Sequence, residues 1–93
     1  MLKLRKDVHI PVIVVKDKKG KCSVYVPDLD IVVNGYDYIS AISNAIFYVS
    51  SIYYYNLNQN VTLKFLKTYQ EVEDTLHKYP KNAFATLINL TEN

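Results

Sequence analysis

The sequence has little that could cross-link it or cradle a phosphate. One cysteine, Cys22, in 93 residues excludes an intrachain disulfide, where a secreted domain of this size commonly carries several. Cys22 lies in a short β-like run and is expected to be a small buried residue rather than a reactive thiol. Gly20 and Gly35 are the only glycines, which excludes a glycine-rich phosphate loop. The charges at Lys3, Arg5, Lys6 and Asp7 precede no long apolar run, so a signal peptide is not expected and the cytoplasm is the expected compartment. A net charge of +2 is too small to imply a nucleic-acid partner. Basic residues do cluster at Lys3 to Lys6 and at Lys16, Lys18, Lys19 and Lys21. The second cluster coincides with a turn signal and reads first as a solvated hairpin tip, second as a phosphate contact.

What is present suits one small folded domain spanning residues 1–93, with residues 1–7 expected to be flexible or loosely paired. The apolar fraction of 49% supports a core but not a second one. Val8 to Val15 is β-branched and reads as a strand; Pro11, which lacks an amide donor, implies a local break in the ladder or an open side. Lys16 to Lys21 is a loop in which Gly20 can take a positive φ. Cys22 to Val26 alternates as a second strand and Ile31 to Asn34 as a third, with Pro27 to Asp30 turning the chain between them. Asp37 can cap a helix over Tyr38 to Tyr55. Tyr38, Ile42, Ala45, Val49, Ile52 and Tyr53 recur at helical spacing on one side, opposite Ser40, Ser43, Asn44, Phe47, Ser51 and Tyr54. Thr68 and Glu71 have capping-box spacing, which predicts a short helix over Tyr69 to His77. Ala83 to Leu90 closes the chain as a strand. The fold class is therefore α+β: a three-stranded antiparallel meander, a crossover helix, a short second helix and a fourth strand beside the first. A single right-handed crossover predicts that this last strand runs parallel to the first.

The order of these elements and four local runs resemble the HicB antitoxin family. Ile10-Pro11-Val12-Ile13 is similar to its first strand. Val24-Tyr25-Val26-Pro27-Asp28-Leu29 is similar to its strand ending in Pro-Asp-Leu. Gly35-Tyr36-Asp37 followed by Ala41, Asn44 and Ala45 is similar to its glycine, cap and alanine-spaced helix. Thr68 to Val72 and Ala83 to Ile88 are similar to its late helix and closing strand. The resemblance covers Val8 to Leu90. It implies a partial ribonuclease-H-like fold without catalytic carboxylates. It also implies dimers or higher oligomers, and an antitoxin of a type II toxin–antitoxin system that masks the active site of a small HicA-type ribonuclease. The family's C-terminal DNA-binding domain is expected to be absent, since the last strand ends three residues before Asn93. Asp30-Ile31 stands where the family usually has Pro-Gly, and no acid follows Asp37 on the helix.

The helix is the most informative element. No charged residue occurs between Asp37 and Lys64. A surface helix ordinarily solvates its outer face with Lys and Glu, so an uncharged outer face with aromatic residues reads as a contact surface for another protein. The alternative is a helix buried more fully by Leu57 to Leu66. Serines and Asn44 along it argue against a membrane span. Tyr36, Phe47, Tyr54 and Tyr55 are the expected partner-binding residues, because aromatic side chains bury much area with few rotors. No catalytic, metal or cofactor residue is expected, and the chain is not expected to be an enzyme: His9 and His77 lie in different elements, and a turn accounts for Asp28 and Asp30. Besides the antitoxin reading, two others remain: an orphan structural or regulatory protein of the same fold, and a weak nucleic-acid binder using Lys16 to Lys21.

Overall fold

The computed structural model describes residues 7–91. It is an α+β fold built on one four-stranded, wholly antiparallel sheet. In chain order the elements are β1 (Asp7–Lys16), β2 (Cys22–Val26), β3 (Ile31–Gly35), α1 (Tyr38–Asn58), α2 (Tyr69–Glu73), a 3-10 turn (Leu76–Lys78) and β4 (Phe84–Thr91). The sheet order is β3-β2-β1-β4.

The meander forms where local chemistry asks for it. Gly20 takes φ +91°, and Asp17 closes the β1–β2 loop by accepting from the backbone N–H of Lys19 (2.8 Å) and Lys21 (3.0 Å). The β2–β3 turn is closed by Leu29 N–H to Val26 C=O and Asp30 N–H to Pro27 C=O, with Asp30 at φ 53°. Asp37 caps α1 as expected: its carboxylate accepts from Ser40 N–H at 2.8 Å, and Ser40 Oγ accepts from Asp37 N–H at 3.1 Å. The helix outlasts the predicted Tyr55 by three residues. It stops in a Schellman motif, with Asn60 at φ 62° and the N–H groups of Val61 and Asn60 bonded to Asn56 and Leu57 carbonyls.

Three expectations are corrected. β4 lies beside β1 but antiparallel to it, with Val14 opposite Phe84 and Asp7 opposite Thr91. The chain crosses the sheet twice, not once. After α1 runs back along one face, Asp28 Oδ1 at the β2–β3 turn accepts from Leu66 N–H and Lys67 N–H (3.0 and 3.2 Å). Residues 69–83 then return the chain over the other face, and Asn82 Nδ2 donates to Lys16 C=O at the far end of β1. Two crossings reverse the sense of entry into β4. The second helix is also shorter than predicted. Thr68 caps it, accepting from Glu71 N–H at 3.1 Å, but α2 ends at Glu73 and the 3-10 turn takes over before His77. Asp7, placed with the loose N-terminus, already pairs with Thr91 in β1, and residues 1–6 lie outside the described residues.

Both faces of β1 are covered. Ile10, Val12 and Val14 join Cys22, Val24, Val26, Ile88 and Leu90 beneath α1, which contributes Ala41, Ala45, Val49 and Tyr53. On the opposite face Pro11 and Ile13 are buried beneath the second crossing, where Val72 of α2 is likewise buried and stands apart from the α1 cluster. Pro11 is accommodated by register. Asp17 N–H bonds to Lys21 C=O, so odd positions of β1 turn their polar groups toward β2, and β2 pairs with β1 only from Ile13 onward. The amide that Pro11 lacks would therefore have met no partner.

Candidate protein-binding surface

α1 is seated by small residues. Gly35, at the end of β3, meets the backbone of Ser40 and Ala41 so closely that any Cβ would overlap it. Ala41 and Ala45 follow at four-residue spacing and are fully buried. Asn44, on the flank toward β3, donates from Nδ2 to Asn34 C=O at 3.0 Å. The helix is thus fixed from beneath, by capping, close approach and one side-chain bond, without any charge on its outer half.

Three of the four expected contact residues are exposed: Tyr36 at 84%, Phe47 at 75% and Tyr55 at 67%. Tyr36 and Asn44 share a hollow of about 290 Å³ with Lys21, Asn34 and Gly35 at the helix N-terminus. With roughly 100° between successive residues, Phe47 stands on the crest opposite Ala45 and Val49, and Tyr55 stands on the β3-side flank. Tyr54 is placed differently from its expected position. It is half-buried against the core, edge-on to Tyr53 at 5.2 Å between ring centroids. Phe65 stacks on Tyr53 at 6.1 Å between ring centroids, and Leu63 also packs against the core. The segment after α1 therefore covers one flank of the helix and leaves the crest open. Tyr38, assigned to the inner side, is exposed at the helix start, where its ring lies 5.7 Å from that of Phe84.

Sequence reasoning missed Tyr48, which is exposed and lies seven residues before Tyr55 on the same flank. The signal was present: Asn44, Tyr48, Ser51 and Tyr55 follow one another at steps of four, three and four. Ile39, also exposed, lies on the other flank.

The remaining polar groups serve the fold. The Tyr25 phenol donates to Asp30 Oδ1 at 3.0 Å, and this bond, with burial second, holds its pKa above the ordinary value. Tyr69 is raised in the same way by its bond to Glu73. Asp37 is held below the usual carboxylate range by the N–H and hydroxyl of Ser40. His9 Nδ1 meets Asn89 Oδ1 on the neighbouring strand, and His77 Nδ1 meets Asp74 C=O. Asp28 and Asp30 act in and around the β2–β3 turn. Among the described residues, no group of three or more His, Cys, Asp and Glu side chains is arranged to hold a metal ion, and no helix is long and apolar enough to cross a membrane. Compared with protein-family models, with curated proteins and with solved structures, the chain matches none.

Proposed function

We propose that this chain is an antitoxin-like protein-binding module of the HicB type, acting in the cytoplasm by contact rather than catalysis. Its partner is a small HicA-type ribonuclease toxin, whose active site it masks with the outer face of α1. One observation carries this reading: the exposed crest and β3-side flank of a 21-residue helix bear Phe47, Tyr48 and Tyr55 and no charge, with exposed Tyr36 just before the helix cap. Such a surface is depleted of charge and rich in aromatic rings, the composition that distinguishes the buried centre of protein interfaces from ordinary surface. The meander, the glycine–cap junction and the alanine-spaced helix, which the resemblance implies, support the family reading. The proposed ribonuclease-H-like relationship is confined to β1–β3 and α1, because β4 runs opposite to the parallel strand that a single crossover predicts.

The test is co-expression with the protein encoded by the adjacent gene, followed by co-purification and growth rescue. The wild-type chain is expected to bind that protein and restore growth. Phe47→Glu is expected to weaken the complex at least tenfold while leaving the melting temperature of the free chain within a few degrees, since Phe47 contributes little to the core. Undiminished rescue by a folded Phe47→Glu chain refutes the assignment of this face. An adjacent product that neither binds nor is toxic favours an orphan regulatory protein instead. Salt-sensitive nucleic-acid binding abolished by charge reversal at Lys18 and Lys19 would favour the loop reading.

A further inference from the structure

Backbone at the margins of the sheet is protected unequally. The half of β1 that extends beyond β2 carries Pro11, which interrupts its row of donors. β3 is five residues long, and Asn34 C=O, which faces outward, is already held by Asn44. β4 is eight residues long and contains no proline and no charged residue. Those are the devices by which natural edge strands avoid pairing with another chain. Ala85 C=O accepts from Tyr69 Oη at 3.4 Å, so Ala85 faces outward. By the alternation of an antiparallel ladder, Leu87 and Asn89 do too.

We propose that β4 pairs with β4 of a second copy of this chain, antiparallel across a two-fold axis at Leu87, joining the two sheets into one. Three arguments select a second copy as the occupant. A two-fold axis sets residues near it against themselves or their neighbours, so a charge there would meet its like; Phe84 to Thr91 has none. In this register Leu87 meets the partner's Leu87. The apolar side chain that β4 leaves exposed at the axis, at 44%, is therefore covered by its own copy. The outward groups of Ala85 also fall opposite those of the partner's Asn89, completing the ladder. The 3.4 Å contact from Tyr69 is easily given up, because that hydroxyl is held at 2.8 Å by Glu73. An edge of this length, about 26 Å, covers less than the roughly 800 Å² per partner of standard interfaces, the size class of transient contacts, so a reversible dimer is expected. It leaves the outer face of α1 free, and the two surfaces can fail separately.

Sedimentation equilibrium of the full chain between about 1 and about 500 µM tests the proposal. The apparent mass is expected to rise from one copy to two. Leu87→Lys, which sets two ammonium groups on the axis, is expected to weaken self-association at least tenfold with the circular dichroism spectrum retained. Val32→Lys on β3 and Phe47→Glu on α1 are expected to leave it unchanged. Should Leu87→Lys fail to fold, Leu87→Cys decides: oxidised glutathione is expected to link it to the partner's copy, whereas Val32→Cys stays unlinked. A chain monomeric throughout, a dimer indifferent to Leu87→Lys, or equal linking at both positions overturns the proposal.

Discussion

Replacing Gly35 with alanine probes how α1 is held. The added Cβ would lie 2.3 Å from Ala41 N, 2.5 Å from Ala41 Cα and 2.8 Å from the Ser40 carbonyl carbon. Comfortable contacts between carbon atoms begin near ~3.5 Å, so the first turn of α1 must retreat by about 1 Å. The obstructing atoms are backbone, and a rotamer change cannot clear them. Retreat would also lengthen the Asn44 to Asn34 bond and disturb the Asp37–Ser40 cap. Overpacking ordinarily costs about 1–3 kcal/mol. With a capped helix unable to slide freely, the upper end applies, about 3 kcal/mol. For a chain of this length each kcal/mol lowers Tm by roughly 4–8 °C, which predicts a fall of roughly 12–24 °C in thermal unfolding followed by circular dichroism. A urea titration should show a lower midpoint with an unchanged slope. Gly20→Ala is the control, since a Cβ there meets nothing within 4 Å and only the φ of +91° is strained; it should cost about 1–2 kcal/mol. If Gly35→Ala melts within about 4 °C of the wild type, the close approach of β3 to α1 is not what seats the helix.

Two further predictions concern the cap and the second crossing. Asp37 has its pKa lowered in the fold from an ordinary 3.8, so its stabilising effect is fully present above that value and is lost as pH falls through the lower folded one. Asp37→Asn should keep the cap and remove this acid-limb dependence, whereas Asp37→Ala should lower Tm at every pH; identical acid limbs for Asp37→Asn and wild type would contradict this. Val72, 2% exposed, is the buried anchor of α2, and Val72→Ala should cost roughly 1–3 kcal/mol in urea unfolding. A cost below about 0.5 kcal/mol would mean that α2 is not packed on the sheet.

Each element could be read from the sequence because its signals are local. Gly20 and Asp17 announce the first loop, Asp37 and Thr68 announce helix starts, and β-branched runs announce strands. The sense of β4 was not legible, because it depends on contacts far apart in sequence. Asp28 to Leu66 and Asn82 to Lys16 guide the second crossing, and no local pattern within residues 59–83 reveals either. One clue was available in β1. Ile10 to Val15 is apolar without alternation, and an unbroken run of this kind marks a strand covered on both faces. A meander with a single helix layer cannot supply that cover. At the candidate site, Phe47 and Tyr55 were legible from angular position. Tyr54 was not, because Leu63 and Phe65 come back over one flank of the helix from beyond its end.

The placement of these residues bears on how the proposed contact can work. Apart from the Asn44 bond to Asn34 on the β3-side flank, everything that fixes α1 lies on its buried half or at its ends: Gly35, Asp37, Ala41, Ala45 and the Schellman turn at Asn60. The crest and the β3-side flank therefore carry almost no structural duty, and aromatic residues there ride on a support whose position does not depend on them. That separation suits a binding face, since side chains on a rigid helix lose less freedom on association than side chains on a loop. It also makes the proposal discriminating. Substitutions beneath the helix should lower stability and binding together, whereas substitutions at Phe47 or Tyr55 should lower binding alone. If Phe47 and Gly35 variants lost partner binding only in proportion to their loss of folded chain, the outer face would be ordinary surface and its lack of charge would carry no functional meaning.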